Sequence, residues 1–485
     1  MALKTLVVDF YPPHLREAII QLNQDNIIDI RYWLVDDEKN YASELPMHTS
    51  RMDKLEAEYS TGVQIAIPDE YYDRSYRYLY PFMNIDNRWK PSTETSVYVH
   101  DFNLLLRIWY QAIVQNNIEL MIMGNAPHGP IPFMAYVVAK TLGIKIIITE
   151  QEWFTQDRFM CFREIERIGC DYLDIDLDFK ENVPSMMGGF RKTPFYMENL
   201  PDEILDTGRF RFGQTLKRML NPHFFCRQMK KYNTLVGVKF MELLGYRAIE
   251  LYLDKWFKKY RNKQCRPFDK KRKYVYFPLH VQPEMTTDTL GGIYEDQLLA
   301  LERLDRILPD DWCIYVKENP AQSYYKRNEE FFLRLGMIRK AILVPPDTDT
   351  YELIEDSGFV ATITGTAGWE AITAGKRCLC FGYAWYRSLA GVIAYRPDIT
   401  IYDILSCDFT KEMFEKTYKR FYKSLFPGIV AGSEFSKLKK NFSVEENNAE
   451  VYFSLRSAIQ NYDAGGEYES EGQGMDKKND ASSSC

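Results

Sequence analysis

The sequence predicts a two-domain α/β protein with parallel sheets. Its 485 residues exceed what one core supports, because single hydrophobic cores stop growing near about 250–300 residues. Short β-rich runs alternate with helical patterns in both halves, which is the βαβ rhythm of a parallel sheet. A cation-rich stretch with few apolar residues separates the halves as an exposed connector. A cleft between the two domains is therefore the expected place of function.

The domain boundaries follow from these changes of pattern. We predict an N-terminal α/β domain with a helical insertion at 1–255, a basic connector at 256–273, a C-terminal Rossmann-like domain at 274–462 and a disordered tail at 463–485. The tail is rich in Gly, Ser and acidic residues and has too little apolar surface to fold. The connector could be a solvated linker, or a patch for an anionic lipid or polymer.

Composition excludes several classes of protein. Hydrophobic residues make up 46% of the chain and charged residues 27%, as in ordinary globular proteins. The net charge of −7 argues against a general nucleic-acid binder. The nine cysteines have no metal-type spacing, so neither a zinc site nor a disulfide framework is expected. The N-terminus lacks a signal-peptide pattern and no run reaches about 18 apolar residues. These features predict a cytoplasmic protein with at most peripheral membrane contact.

Hydrophobic periodicity places the elements of each half. The N-terminal half predicts strands at 4–10, 27–35, 118–123 and 145–149, and helices at 15–23 and from about 132 to 142. The C-terminal half predicts strands at 274–279, 313–317, 341–344, 359–363 and 377–381, and helices at 294–307, 323–335, near 351 and at 369–374. Residues 160–260 are mostly helical and aromatic in pattern, without a resolved packing.

Polar loops follow the strands of the C-terminal half, where ligands of open parallel sheets bind. The loop Thr364 to Gly368 runs into a helix, so its small residues would let a phosphate approach backbone N–H groups at a positive helix end. Thr364 and Thr366 add hydroxyl donors, and Glu370 could accept hydrogen bonds from ribose. The alternatives are a tight connection without a ligand, and for Glu370 an acid that stabilises the helix start. We therefore predict that residues 273–386 build a pocket for an anionic ligand.

Ionisable residues near the same sheet edge are candidates for catalysis. Lys317 ends a strand and could pair with phosphate, or could be a surface lysine. His280, Glu284 and Asp288 lie within nine positions and could transfer protons at a reacting sugar, although each alone is more often an ordinary loop residue. In the N-terminal half, His128 follows a strand and would face the same cleft as a base or acceptor-binding group, unless it is a satisfied core histidine. Weaker candidates are Glu150, Glu152, Asp157 and Arg158.

Three segments of the C-terminal half resemble the capsule polysaccharide biosynthesis and export family, which includes bacterial transferases of 3-deoxy-manno-octulosonic acid (Kdo). The segments are YFPLHVQPE at 276–284, YVKENP at 315–320 and TGTAGWEAITAGKRCLCFGYAWY at 364–386. Weaker support comes from NAPHGPIPF at 125–133 and DRF at 157–159. The resemblance implies a GT-B arrangement, in which two Rossmann-like domains face each other across a cleft and the C-terminal one holds the nucleotide. It implies no cofactor and no metal.

The resemblance also implies roles for matching residues. Gln282 and Glu284 fall on the family's Gln-Pro motif near the donor sugar. Lys317 and Asn319 match its Lys-x-His-Pro motif, with asparagine replacing the histidine that contacts nucleotide phosphate. Asparagine can donate a hydrogen bond but carries no charge. The remaining matches lie on the loop and helix that hold the nucleotide, namely Thr364, Thr366, Gly368 and Glu370.

These matches predict a hexosyl- or Kdo-type glycosyltransferase. The enzyme would move a sugar from a nucleotide donor, such as CMP-Kdo, to a capsular polysaccharide or glycolipid acceptor on the N-terminal side of the cleft. One alternative is a polyol-phosphate transferase of the teichoic-acid type. Another is a non-catalytic protein that binds polysaccharide during export, which the replacement by Asn319 favours. A sugar epimerase of the same two-domain shape is a more distant alternative.

Overall fold

A computed structural model gives the fold of most of the chain. It describes residues 2–10, 12–35, 45–49, 54–55, 65–89, 94–152, 154, 157–169, 240–324, 326–431 and 442–464. The predicted tail, from residue 465 onward, and most of the predicted 160–260 helical region lie outside these residues.

The N-terminal domain is built on a twisted sheet that has seven strands in the described part of the chain. Their order is β13-β6-β5-β4-β1-β2-β3. The strands from β5 to β3 are parallel to one another, and β6 pairs antiparallel with both of its neighbours, β5 and β13. The strands are β1 (Leu3–Val8), β2 (Ile28–Val35), β3 (Met47–Thr49), β4 (Leu120–Met123), β5 (Lys145–Glu152), β6 (Arg158–Phe162) and β13 (Phe426–Pro427). The helices are α1 (Pro13–Gln24), α2 (Asp69–Tyr76), α3 (Leu79–Trp89), α4 (Thr95–Gln115) and α5 (Pro130–Thr141), with a 3₁₀ turn at Ile165–Arg167.

The C-terminal domain has a second, all-parallel sheet with six strands among the described residues. Their order is β12-β11-β10-β7-β8-β9, so the sheet reads 3-2-1-4-5-6 from its β9 edge, the order of a Rossmann fold. The strands are β7 (Lys273–Pro278), β8 (Trp312–Lys317), β9 (Ala341–Val344), β10 (Phe359–Thr362), β11 (Cys378–Cys380) and β12 (Val392–Ala394). The helices are α6 (Phe240–Gln264), α7 (Met285–Asp288), α8 (Gln297–Ile307), α9 (Glu329–Met337), α10 (Thr350–Glu355), α11 (Thr366–Thr373), α12 (Ile401–Ser406), α13 (Lys411–Lys423) and α14 (Val444–Gln460), with 3₁₀ turns at Gly292–Glu295 and Tyr462–Ala464.

Both sheets are covered on their two faces, as parallel sheets require. Along β7, Val275 and Phe277 enter one hydrophobic cluster while Tyr274 and Tyr276 enter another on the opposite face. The same alternation occurs in the first sheet, where Met121 and Met123 face one cluster and Leu120 and Ile122 the other. Because successive side chains of a strand point to opposite faces, continuous apolar runs fill both layers. The predicted α/β class with two Rossmann-like domains across a cleft is confirmed.

The predicted connector differs from the structure. Residues 256–264 form the last turns of α6 rather than an exposed linker, and only 265–272 connect this helix to β7. Phe257 is fully buried and packs against Phe332 of α9, with ring centroids 6.2 Å apart. The many cations made this segment resemble an exposed linker in the sequence. A helix needs only one buried face to pack against a domain, so its other faces can carry these charges.

The end of the chain also departs from the predicted boundary at residue 462. Strand β13 pairs with β6 of the first sheet, and α14 packs on α1. Asn447 Nδ2 donates to the His14 carbonyl oxygen at 2.9 Å, and Asn448 Oδ1 accepts the Ala18 N–H at 3.0 Å. These contacts, more than 400 positions apart in sequence, attach the C-terminal helix to the N-terminal domain. No helix in the described part of the chain has the length and apolar character needed to cross a bilayer.

Candidate functional site

The centre of the site is the switch point of the second sheet, between β7 and β10. In open α/β sheets, ligands bind where the strand order reverses, outside the carboxyl ends of the strands. The loops that leave these two strands touch each other, since His280 Nε2 lies 3.0 Å from Thr362 Oγ1. Gly365 N–H donates to the same hydroxyl oxygen at 3.2 Å. A Cβ on Gly365 would come within 2.9 Å of the His280 ring, so only glycine lets the two loops approach so closely.

The start of α11 lies beside this contact. Its N-terminal turn has no side-chain cap, so no cap side chain occupies the backbone N–H groups at this helix start. Thr364 Oγ1 donates to the Thr286 carbonyl oxygen at 2.8 Å and so ties the helix start to the loop before Asp288. Gly368, a predicted ligand contact, instead packs inward, because a Cβ there would overlap the Tyr386 hydroxyl. Thr366 stands at the first position of the helix.

A buried polar network fixes the loops that follow β7 and β8. Arg327 is fully buried and its Nε donates to Glu318 Oε2 at 2.7 Å. The same guanidinium donates to Gln282 Oε1 at 2.9 Å and to the His280 carbonyl oxygen at 3.2 Å. Gln282 is fully engaged, because its amide nitrogen donates to the Glu295 carbonyl oxygen at 2.8 Å. The Gln282 side chain and the His280 carbonyl oxygen, from two residues predicted to act on the substrate, therefore form hydrogen bonds that fix these loops.

Asp288 is the one predicted carboxylate that combines burial with an unsatisfied oxygen. The residue is 2% exposed, and its Oδ2 has no hydrogen-bond partner among the described residues. Burial raises its pKa to about 7, with Glu295 raising it further and Lys326 and Arg88 opposing the shift. Lys326 Nζ lies 4.0 Å from Asp288 Oδ1. A carboxyl group of this kind can exchange a proton near neutral pH.

Glu295 joins the two domains next to Asp288. Its Oε2 accepts hydrogen bonds from the Tyr80 hydroxyl at 3.1 Å and from Asn84 Nδ2 at 3.2 Å, both on α3 of the N-terminal domain. Its Oε1 accepts from Lys326 Nζ of the C-terminal domain. Nearby, Thr289 Oγ1 donates to the Pro127 carbonyl oxygen at 3.0 Å. The loop that carries Asp288 thus meets the N-terminal domain directly.

His128 stands on the N-terminal side of this junction. The residue is exposed, yet desolvation by neighbouring atoms lowers the pKa of its imidazole. The hydrogen bond to Ala126 opposes this shift, and the positive charge of Arg88 adds to it. Its Nδ1 lies 2.8 Å from the Ala126 carbonyl oxygen, which can only accept, so Nδ1 carries the hydrogen. Arg88 also acts on Asp288. The Arg88 guanidinium therefore acts electrostatically on two groups from different domains, His128 of the N-terminal domain and Asp288 of the C-terminal domain.

A second cluster surrounds the end of β8. Lys317 Nζ donates to the Thr348 carbonyl oxygen at 2.6 Å and to Thr350 Oγ1 at 2.7 Å. Burial lowers its pKa, although Asp349, Asp347 and Glu370 oppose the shift. Burial raises the pKa of Glu370 to about 7 and Lys317 opposes that shift. Lys317 is thus held by the protein itself, beside the Glu370 carboxyl group.

The remaining predicted residues make hydrogen bonds within the protein. Glu284 is exposed, and its Oε2 accepts from Thr286 Oγ1 at 2.9 Å. Asn319 uses its Oδ1 to accept the Ala321 N–H at 2.9 Å, which shapes the turn after β8. Among the weaker candidates, Glu150 Oε2 accepts the Ala126 N–H at 3.1 Å, and burial raises its pKa to about 7.

Four contributors to this geometry were not predicted: Arg88, Glu295, Lys326 and Arg327. Lys326 and Arg327 belong to the long connection from β8 to α9, beyond the few residues that follow the strand, so a search extended to residue 328 would have included them. Arg88 lies on α3 and Glu295 on a 3₁₀ turn. Neither follows a strand, and no local pattern marks them.

Residues 213–398 match the family model described as "Capsule polysaccharide biosynthesis protein". The resemblance predicted from the motifs is confirmed over this segment, which contains the switch point, Asp288 and the start of α11. No curated protein matches the chain at a significant level.

Several solved structures are similar in fold. The beta Kdo 2,7 transferase of KpsC from Thermosulfurimonas dismutans is 11% identical, with a TM-score of 0.30, over 71% of this chain and 87% of that one. The beta Kdo 2,4 transferase of the same KpsC is 12% identical, with a TM-score of 0.26, over 62% and 79%. UDP-GlcNAc 2-epimerase from Methanocaldococcus jannaschii is 12% identical, with a TM-score of 0.22, over 86% and 92%. At these identities and scores we take no residue role from them.

Proposed function

We propose that this protein is a glycosyltransferase that moves a sugar from a nucleotide donor to a hydroxyl group of a surface polysaccharide or glycolipid. The observation that carries the proposal is the Asp288 carboxyl group, buried at the domain junction with Oδ2 unsatisfied. It lies beside a Rossmann switch point, within a segment that matches a capsule biosynthesis family. A buried carboxylate oxygen without a hydrogen-bond partner is costly, which supports a role for Asp288 Oδ2 in the reaction.

Asp288 is proposed as the general base. As the acceptor oxygen forms its bond to the anomeric carbon, the acceptor proton passes to Asp288 Oδ2. The bond from that carbon to the donor phosphate breaks, and its electron pair leaves with the nucleotide. A base whose pKa lies near the working pH performs this transfer best, and the pKa of Asp288 is raised to about 7. His128, across the junction, is proposed to orient the acceptor.

The donor phosphates are proposed to bind at the start of α11. First-turn N–H groups and the Thr366 hydroxyl would donate hydrogen bonds that stabilise the negative charge developing on the leaving nucleotide. Lys317 is hydrogen-bonded to the loop before α10, and its charge offsets that of the Glu370 carboxylate. Its contribution to phosphate binding would therefore be indirect. Asn319, in the third position of the KENP motif, is neutral, so it would offer the phosphates at most a hydrogen bond and no positive charge.

A binding screen followed by a product assay tests the proposal. Thermal shifts with CMP, CDP, UDP, GDP and their sugar conjugates identify the donor, because a ligand of the folded state raises the melting temperature. Nucleotide release with a polysaccharide acceptor then measures transfer, and phosphodiester linkages in the product would identify a polyol-phosphate transferase instead. A protein that binds polysaccharide but no nucleotide would be a non-catalytic export component, and the proposal would fail.

A further inference from the structure

The end of α6 and the segment that follows it carry a dense positive charge. Between residues 252 and 273 the sequence has ten Lys or Arg and two Asp, although the whole chain has 68 acidic and 61 basic residues. This concentration stands out in a protein of net charge −7. Five of these ten cations lie on α6, an ordered helix, and the other five follow it.

The cations form a stripe on one face of the helix. The exposed residues Tyr252, Lys255, Lys259 and Lys263 follow one another on α6 at intervals of three or four positions, which places them along one side. The exposed Arg266 lies two positions beyond the end of the helix. We call these five residues the α6 stripe.

The opposite side of the helix is fixed to the C-terminal domain. Phe257 is buried, and the Tyr260 ring packs on Phe332 with centroids 5.3 Å apart. Just after the helix, Arg266 N–H donates to the Leu343 carbonyl oxygen at 2.8 Å. The stripe is therefore held in a constant orientation on the folded domain.

The stripe has no acidic counterpart in the described part of the chain. Neighbouring cations are neutralised, since Lys258 pairs with Asp254 at 3.1 Å, Lys270 with Glu352 at 3.4 Å and Lys273 with Asp311 at 2.7 Å. The four cations of the stripe have no ion pair with any described residue. Like charges at helical spacing repel one another. An external anionic partner would remove that repulsion.

We propose that the α6 stripe docks the protein on an anionic phospholipid surface. A row of lysines on a convex helix fits a flat layer of headgroups, whereas a polymer chain would be better held in a groove. Tyr252, 68% exposed at one end of the stripe, supplies the aromatic ring that favours the membrane interface. Each cation close to an anionic leaflet strengthens binding about fivefold. The rest of the protein carries a net negative charge, which would favour an orientation with this face toward the membrane.

Flotation of the full-length protein with vesicles tests the proposal. We expect binding to vesicles of phosphatidylcholine mixed with phosphatidylglycerol, weaker binding as salt increases, and no binding to phosphatidylcholine alone. The variant Lys255→Gln/Lys259→Gln/Lys263→Gln should lower partition about 100-fold. Tyr252→Ala should lower it severalfold. An unchanged melting temperature would show that these surface variants fold.

Matched variants on other helices serve as controls. Lys411→Gln/Lys419→Gln/Lys423→Gln removes three exposed cations from α13, and Tyr402→Ala removes an 80% exposed tyrosine from α12. Both controls should keep vesicle binding. Equal loss in the α13 variant, or binding that survives the α6 triple variant, would overturn the proposal. So would failure to bind anionic vesicles together with stripe-dependent binding of dextran sulfate, which would assign the surface to an anionic polymer.

Discussion

Glu150 and His128 hold the backbone of one residue from opposite sides. Glu150 Oε2 accepts the Ala126 N–H at 3.1 Å, and His128 Nδ1 donates to the Ala126 carbonyl oxygen at 2.8 Å. Because the second bond requires the hydrogen on Nδ1, the lone pair of the neutral ring is on Nε2. The Glu150 carboxyl group therefore fixes the loop that presents His128 at the domain junction.

Substitution of Glu150 should alter this loop. In Glu150→Gln the amide can still accept through its oxygen, whereas Glu150→Ala leaves the Ala126 N–H without a side-chain partner, at a cost of about 1–3 kcal/mol. We expect transfer activity to fall about tenfold in the alanine variant and to stay near normal in the glutamine variant. Rates measured at saturating donor and varied acceptor would show a raised acceptor KM in Glu150→Ala. Equal loss in both variants would argue that the charge itself takes part.

Substitution of Asp288 should separate catalysis from donor binding. Asp288→Asn removes the proposed base, so transfer should fall about 10²–10⁴-fold while donor binding is kept. Exposed Glu284 offers the matched control, and Glu284→Gln should retain most activity. Nucleotide release and thermal shift with the donor together measure both quantities. Retained transfer in Asp288→Asn would exclude Asp288 as the base.

The same variant should change how stability depends on pH. The pKa of Asp288 is raised to about 7 in the folded protein, above its unfolded value, so the folded state holds the extra proton. The residue therefore destabilises the fold progressively as pH rises from about 4 to about 7. Asp288→Asn should match the wild-type melting temperature near pH 4 and exceed it at pH 8. A lower melting temperature of the variant at pH 8 would instead show that Lys326, 4.0 Å away, stabilises the charged carboxylate more than burial destabilises it.

The transfer rate should also titrate with Asp288. A general base works when deprotonated, so activity should rise with pH through about 7. The pKa values of Glu150 and Glu370 are also raised to about 7. Profiles of Glu150→Gln and Glu370→Gln should keep the inflection, and only the residual activity of Asp288→Asn should lose it. Loss of the inflection in Glu370→Gln would instead assign the titration to Glu370, next to the proposed nucleotide site at the start of α11.

The buried pair of Arg327 and Glu318 should be essential to folding. Arg327→Met strands a buried carboxylate and should cost about 3–5 kcal/mol in the free energy of unfolding. The exposed pair of Arg339 and Asp310, 2.6 Å apart, provides the control, and Arg339→Met should change stability by less than about 1 kcal/mol. Urea denaturation measures both. Adding Glu318→Leu to Arg327→Met should recover part of the loss, and no recovery would show that the hydrogen bonds to Gln282 and His280 dominate.

The contact between domains can be tested through two tyrosines of the N-terminal domain. Tyr80→Phe removes the hydroxyl that bonds to Glu295 of the other domain, whereas Tyr76→Phe removes one that bonds to Asn103 within its own domain at 2.9 Å. Loss of one hydrogen bond is worth about 0.5–1.5 kcal/mol. We expect the transfer rate to fall about threefold to tenfold in Tyr80→Phe and to stay within twofold in Tyr76→Phe. Equal effects would mean that the interdomain bond has no special role.

The sequence by itself determined the elements and the edge where the site lies. Strands such as β9 and β10, and the loops after β7 and β10, follow from local apolar periodicity and from the polar residues that end each run. The tertiary structure alone decided which polar residues remain available to a ligand. The Gln282 side chain is engaged by Arg327 and Glu295, and the His280 ring contacts Thr362. Lys317 is hydrogen-bonded to the loop before α10, whereas Asp288 retains an unsatisfied oxygen. These outcomes, like the return of α14 to the first domain, depend on contacts between residues far apart in the chain, which no local pattern encodes.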